Sequence, residues 1–106
     1  MVKLFGLKNC DNCRKALKKL PEVDFLDVRV DGVPLEVLHA ALGQFGDSLL
    51  NLRSATWRLL TAEERAKPQI QLLQTHPTLM KRPLIERDGK LYLSWSKETQ
   101  SALGVS

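Results

Sequence analysis

A chain of 106 residues, 43% hydrophobic and 26% charged, can bury one core and is too short for two, so a single domain over residues 1–106 is expected. That composition excludes disorder and fibrous repeats, and no uncharged stretch approaches the ~20 apolar residues of a membrane span. The net charge of +4 is uneven: residues 1–20 hold Lys3, Lys8, Arg14, Lys15, Lys18 and Lys19 against Asp11 alone, so the rest of the chain is slightly acidic.

Val2-Lys3-Leu4-Phe5 has the pattern of a first strand, and Gly6 opens a loop that carries Lys8 and Asn9 to Cys10. From Asp11 to Leu20 a helix is predicted, because Cys13, Ala16, Leu17 and Leu20 recur at i, i+3, i+4, i+7 and Pro21 follows. Asp24 to Val30 reads as a second strand through the alternation of Leu26, Val28 and Val30, closed by Asp31-Gly32. Strand, helix and strand within about 30 residues imply a parallel pair with a right-handed crossover.

Pro34 then introduces a helix whose apolar face is Leu35, Leu38, Ala41, Leu42 and Phe45, ending at Gly46. Thr61-Ala62-Glu63-Glu64 has the form of a capping box, and Pro68 opens a further helix through Gln74 that the His76-Pro77 step ends. Pro83 to Glu86 and Lys90 to Leu93 flank Arg87-Asp88-Gly89, a hairpin signal, and Ser96 caps a last helix through Leu103. The order βαβ, helices, ββα predicts an α/β, thioredoxin-like fold: a four-stranded mixed sheet with a helical insertion at about 34–78.

Two cysteines are too few to staple a secreted scaffold, and the N-terminus runs straight into a strand pattern without an apolar leader, so a reducing cytoplasm is the expected setting. In that setting Cys10-Asp11-Asn12-Cys13, between a first strand and a first helix, reads as a thiol–disulfide centre. A cysteine at a helix N-terminus faces free N–H groups and the positive end of the helix dipole, which favour its thiolate. Cys10 is therefore assigned as nucleophile and Cys13, one turn on and core-facing, as resolving thiol. Lys8 and Arg14 are close enough in sequence to favour the charged form, while Asp11 opposes it. The basic field suits an anionic substrate better than nucleic acid. Zinc would need further ligands; His39 and His76 lie far apart and read as structural, as do Trp57 and Trp95, so no metal site is expected.

These residues resemble a known family, the arsenate reductase-like group with its ArsC, Spx and YffB-type branches. The resemblance rests on Cys10-x-x-x-Arg14, Asp27-Val28-Arg29-Val30-Asp31-Gly32, Asn51-Leu52-Arg53-Ser54, Thr56-Trp57-Arg58 and Lys81-Arg82-Pro83-Leu84. It implies an exposed nucleophile at Cys10, Arg53 and Arg82 as its anion-binding partners, and a cis Arg82-Pro83 peptide where a substrate thiol or glutathione docks. Arsenate-reducing members resemble His-x-x-x-Cys-x-x-x-Arg and carry a third arginine near the last strand. Here those places hold Gly6 and Trp95, which counts against arsenate. The Trp95-Ser96 ending is most similar to the YffB-type branch and implies a glutathione-dependent thiol reductase, with glutathione as co-substrate and no bound cofactor. Cys13 departs from that branch and is similar to the Cys-x-x-Cys switch of the Spx regulators. The alternative is thus a redox-sensing regulator that binds RNA polymerase or another protein, against which stands the chain's ending at Ser106, without the basic tail of those regulators.

Overall fold

The computed structural model describes residues 2–105. The chain forms two compact units, one of Met1–Asp31 with Arg82–Ser106 and one of Gly32–Lys81. In the first, strands β1 (Val2–Gly6), β2 (Val23–Asp27), β3 (Leu84–Arg87) and β4 (Lys90–Leu93) form one sheet in the order β2-β1-β3-β4. β1 runs parallel to β2 and antiparallel to β3, and β3 is antiparallel to β4, so the sheet is mixed as expected.

Register explains how the core is filled. Phe25, Leu4, Ile85 and Tyr92 are cross-strand partners across all four strands and therefore share one face. Against that face packs helix α1 (Asp11–Lys19) through Cys13 and Ala16, with Leu20 just beyond its end and Trp95 and Leu103 closing the cluster. Leu4, Cys13, Ala16 and Ile85 have no exposed surface. Each fully buried Leu or Ile contributes about 1.5–3 kcal/mol, so this face is a main source of the unit's stability.

The hairpin turn is the two-residue kind that Asp-Gly favours: Asp88 and Gly89 both take positive φ, 52° and 78°, as a type I′ turn requires. Helix α7 (Lys97–Ala102) is capped by Ser96, whose side chain accepts the Thr99 N–H at 3.1 Å. Its far end closes at Gly104, φ 77°, with the Val105 N–H donating to the Gln100 carbonyl. Arg87 on β3 donates to the carbonyls of Ala102 and Leu103, tying a cation to the helix C-terminus.

One expectation fails. The strand predicted through Val30 stops at Asp27, and Val28–Asp31 is a helical turn, α2. The Asp27 carboxylate accepts the Arg29 N–H at 2.9 Å, which starts the turn and outweighs the β-propensity of the two valines. As a result Val28 is fully buried while Val30 is 77% exposed.

The second unit contains α3 (Leu35–Phe45), α4 (Ala55–Leu59), α5 (Ala62–Arg65) and α6 (Gln69–Thr75), with short 3₁₀ turns at Gly46–Leu49 and Pro77–Leu79. Helix α3 buries Leu38 and Ala41, leaving Leu35 47% exposed. The capping box at Thr61 and Glu64 is complete, and His76 Nε2 lies 3.6 Å from the same Glu64 carboxylate. Leu60, Leu72 and Leu79 form the small core, and Arg65 stacks over Trp57 at 4.8 Å. Helix α4 carried no clear period in the sequence; its start is Ser54, which accepts the Trp57 N–H at 3.1 Å. Among the described residues no helix is long and apolar enough to cross a membrane.

Candidate functional site

β1 ends at Gly6, Lys8 and Asn9 form a turn, and Cys10 occupies the N-cap position of α1 with extended backbone (φ −90°, ψ 125°). The turn is closed by the Cys10 N–H donating to the Leu7 carbonyl at 3.3 Å. Cys10 is half-buried, Cys13 is fully buried, and both are free thiols.

Their surroundings make the two sulfurs unequal. Partial burial works against a Cys10 thiolate, but the Cys13 backbone N–H, the Cys13 thiol and the Arg82 guanidinium all favour it, and the balance lowers its pKa. The Cys13 N–H approaches the sulfur without forming a full capping hydrogen bond. Burial pushes the Cys13 thiol up to about 12, helped by the neighbouring Cys10 sulfur and opposed by the Leu7 N–H and Arg82. At neutral pH the geometry therefore holds a thiolate-prone Cys10 beside a protonated Cys13 that hydrogen-bonds it.

Arg82 reaches Cys10 from the segment leading into β3, and the Arg82–Pro83 peptide that follows it is cis. Pro83 is buried, and its carbonyl accepts the Ser94 N–H at 2.8 Å. Cys10, Cys13 and Arg82 are thus brought together. Lys8 is exposed on the turn before Cys10. Arg14 is exposed and directed to Asp11 at 3.6 Å and to the Asn9 carbonyl at 3.4 Å. Arg53 belongs to the helical unit, on the turn before α4, where its N–H donates to Asn51 Oδ1 and it lines a surface pocket of about 450 Å³ with Lys81. Among the described residues no group of three His, Cys, Asp or Glu side chains could hold a metal ion.

Gly6, which the motif comparison marks only as the place of a missing histidine, also has a packing role. A Cβ there would meet Cys13 Sγ at 2.5 Å and a Leu4 methyl at 3.2 Å, so only glycine leaves the second thiol its place. Gly6 and Cys13, two separate departures in the sequence, are one steric arrangement. Trp95 is likewise not an open binding surface: it is 9% exposed and packs in the cluster that contains Cys13.

A mixed β2-β1-β3-β4 sheet with a Cys-x-x-Cys pair opening its first helix defines the class: a thioredoxin-like thiol redox protein. The ArsC family model matches residues 5–103, and the chain belongs to that family. An uncharacterized protein of Haemophilus influenzae is 43% identical over 114 aligned residues, covering 96% of this chain and 98% of its own. Among solved structures, the YFFB (PA3664) protein superposes with a TM-score of 0.87 at 27% identity, covering 97% of this chain and 98% of that one. An arsenate reductase (ArsC) related protein from Brucella melitensis gives 0.68 at 31% identity, over 95% and 92% of the two chains. Both the fold and the YffB-like placement expected from the sequence agree with these matches.

Proposed function

We propose that the protein is a glutathione-dependent thiol–disulfide oxidoreductase with Cys10 as its nucleophile. The observation that carries this reading is the pairing of a half-buried Cys10 at the helix N-terminus with the Arg82 guanidinium and a protonated Cys13.

The Cys10 thiolate attacks one sulfur of a substrate disulfide, forming a mixed disulfide and expelling the other sulfur as a thiolate that solvent protonates. While Cys10 is an anion, its charge and hydrogen bond keep Cys13 protonated; once Cys10 is in a disulfide both influences end, whereas Arg82 remains. Cys13 thus becomes easier to deprotonate only after the first step. Its thiolate attacks the Cys10 sulfur, releases the second substrate thiol and closes a Cys10–Cys13 disulfide. Two glutathione thiols reduce that bond and leave as glutathione disulfide, so two electrons pass from glutathione to substrate. Arg82 and the exposed Lys8 suit the carboxylates of glutathione, and the weak exposed Arg14–Asp11 pair can open to an arriving anion. Arg53 enters through the family resemblance.

The test is incubation with oxidised glutathione followed by peptide mass mapping. Wild type should yield a Cys10–Cys13 disulfide, and Cys13→Ser should accumulate the glutathione adduct at Cys10. A chain that forms no adduct at Cys10 in either form would remove the reading.

A further inference from the structure

Along the solvent side of α1, Asn12, Lys15, Lys18 and Lys19 form one wall of an open groove of about 320 Å³, and Trp95 and Gln100 form the other. All six belong to the sheet unit. Among the described residues the groove has three ammonium groups and no carboxylate on its walls, so its field selects anions. Asn12 lies between the two cysteines in sequence, and Trp95 packs into the buried cluster of Cys13, against which Cys10 also rests. The groove therefore lies along the helix that carries the thiol pair, with Asn12 in that helix's first turn.

Two polyanions could in principle occupy such a surface. Single-stranded nucleic acid depends on exposed aromatic faces for base stacking, and Trp95, the groove's aromatic residue, is 9% exposed and packed into the buried cluster. Arginine, the residue best suited to grip phosphate through paired hydrogen bonds, is also missing from the walls. Carboxylates are matched adequately by lysine point charges along one helix face.

We infer that this groove docks an acidic segment of a protein substrate, bringing that substrate's disulfide to Cys10. The inference rests on the oxidoreductase reading and adds its substrate class. The chemistry is unchanged: Cys10 forms the mixed disulfide, Cys13 displaces the second sulfur, and glutathione supplies the two electrons.

The experiment compares three disulfides under glutathione: a cyclic peptide flanked by Asp and Glu, the same peptide with Asn and Gln, and neutral 2-hydroxyethyl disulfide. Wild type should turn over the acidic peptide with a kcat/KM ~10-fold or more above the neutral one, and ~0.5 M salt should erase the difference by screening. Combined Lys15→Glu, Lys18→Glu and Lys19→Glu should abolish the preference while leaving 2-hydroxyethyl disulfide reduction intact; Lys→Gln replacements should give an intermediate loss. Equal rates on the two peptides, with the small disulfide still reduced, would overturn the docking inference alone. Binding of a single-stranded oligonucleotide in preference to the acidic peptide, lost in the Lys→Glu variant, would reassign the groove to nucleic acid. Failure to reduce any of the three would overturn the oxidoreductase reading together with it.

Discussion

At position 6 the backbone passes so close to Cys13 that the two residues must be considered together. Gly6→Ala should cost about 1–3 kcal/mol, the usual range for overpacking a filled core, because the new methyl forces Cys13 Sγ or Leu4 to move. With Cys13→Ala as background most of that cost should vanish, and a double-mutant cycle by urea unfolding measures the coupling; additive costs would contradict the shared space. Cys13 also gives the protein a defined alkaline weakness. Its folded pKa of about 12 exceeds the ~8.5 of an unfolded thiol, so its stabilisation is complete below ~8.5 and is lost as pH rises towards 12. Between those values the unfolded chain releases a proton that the folded chain keeps. Cys10, with its lowered pKa, acts in the opposite direction: its contribution is present above the unfolded thiol pKa and fades as pH falls through the folded value. Urea midpoints at about pH 8.5 and about pH 10.5 should therefore fall further for wild type than for Cys13→Ala, and parallel curves would rule out a buried, protonated Cys13.

Among the elements, those with a chemical start and stop were legible in the sequence. Ser96, the Thr61–Glu64 box, Asp88-Gly89 and Gly46 each act at the place the residue type indicates. Ser96→Ala should lower stability by ~1 kcal/mol, since it strips the Thr99 N–H of its partner; a midpoint within error of wild type would show the cap to be dispensable. The end of β2 was not legible, because alternation of Leu26, Val28 and Val30 is compatible with a strand until the Asp27 side chain is seen to bond the Arg29 N–H. Substituting Asp27→Ala removes that bond and should reduce stability by ~0.5–2 kcal/mol, as read from the urea midpoint, whereas an unchanged midpoint would show that the turn forms without it. Helix α4 was missed for a related reason: five residues are too few to show a period, and only Ser54 marks its start.

On the scale of the molecule, the parallel β1–β2 pair and the β3–β4 hairpin were legible in the sequence as a short βαβ unit and a tight turn, whereas the β1–β3 pairing that sets the order β2-β1-β3-β4 was not. The thiol pair was plain, being contiguous in the chain. Less visible were its neighbours: Arg82 lies 72 residues from Cys10 in the sequence, and a family resemblance, not any local pattern, points to it. Lys8 and Arg14, the nearest cations in sequence, are a surface lysine and an arginine turned to Asp11. Proximity along the chain was a poor guide to which cation meets the sulfur, because the β1–β3 pairing brings the segment before Leu84 to the end of β1. This arrangement holds an ionisable Cys10 beside a protonated Cys13. Its most direct test is the iodoacetamide alkylation rate of each cysteine against pH, followed by mass spectrometry. Cys10 should reach half its maximal rate below the ~8.5 of an ordinary thiol, Arg82→Ala should move that midpoint upward, and Cys13 should stay unmodified throughout the range. A Cys10 midpoint at or above ~8.5, or equal alkylation of the two cysteines, would contradict the account.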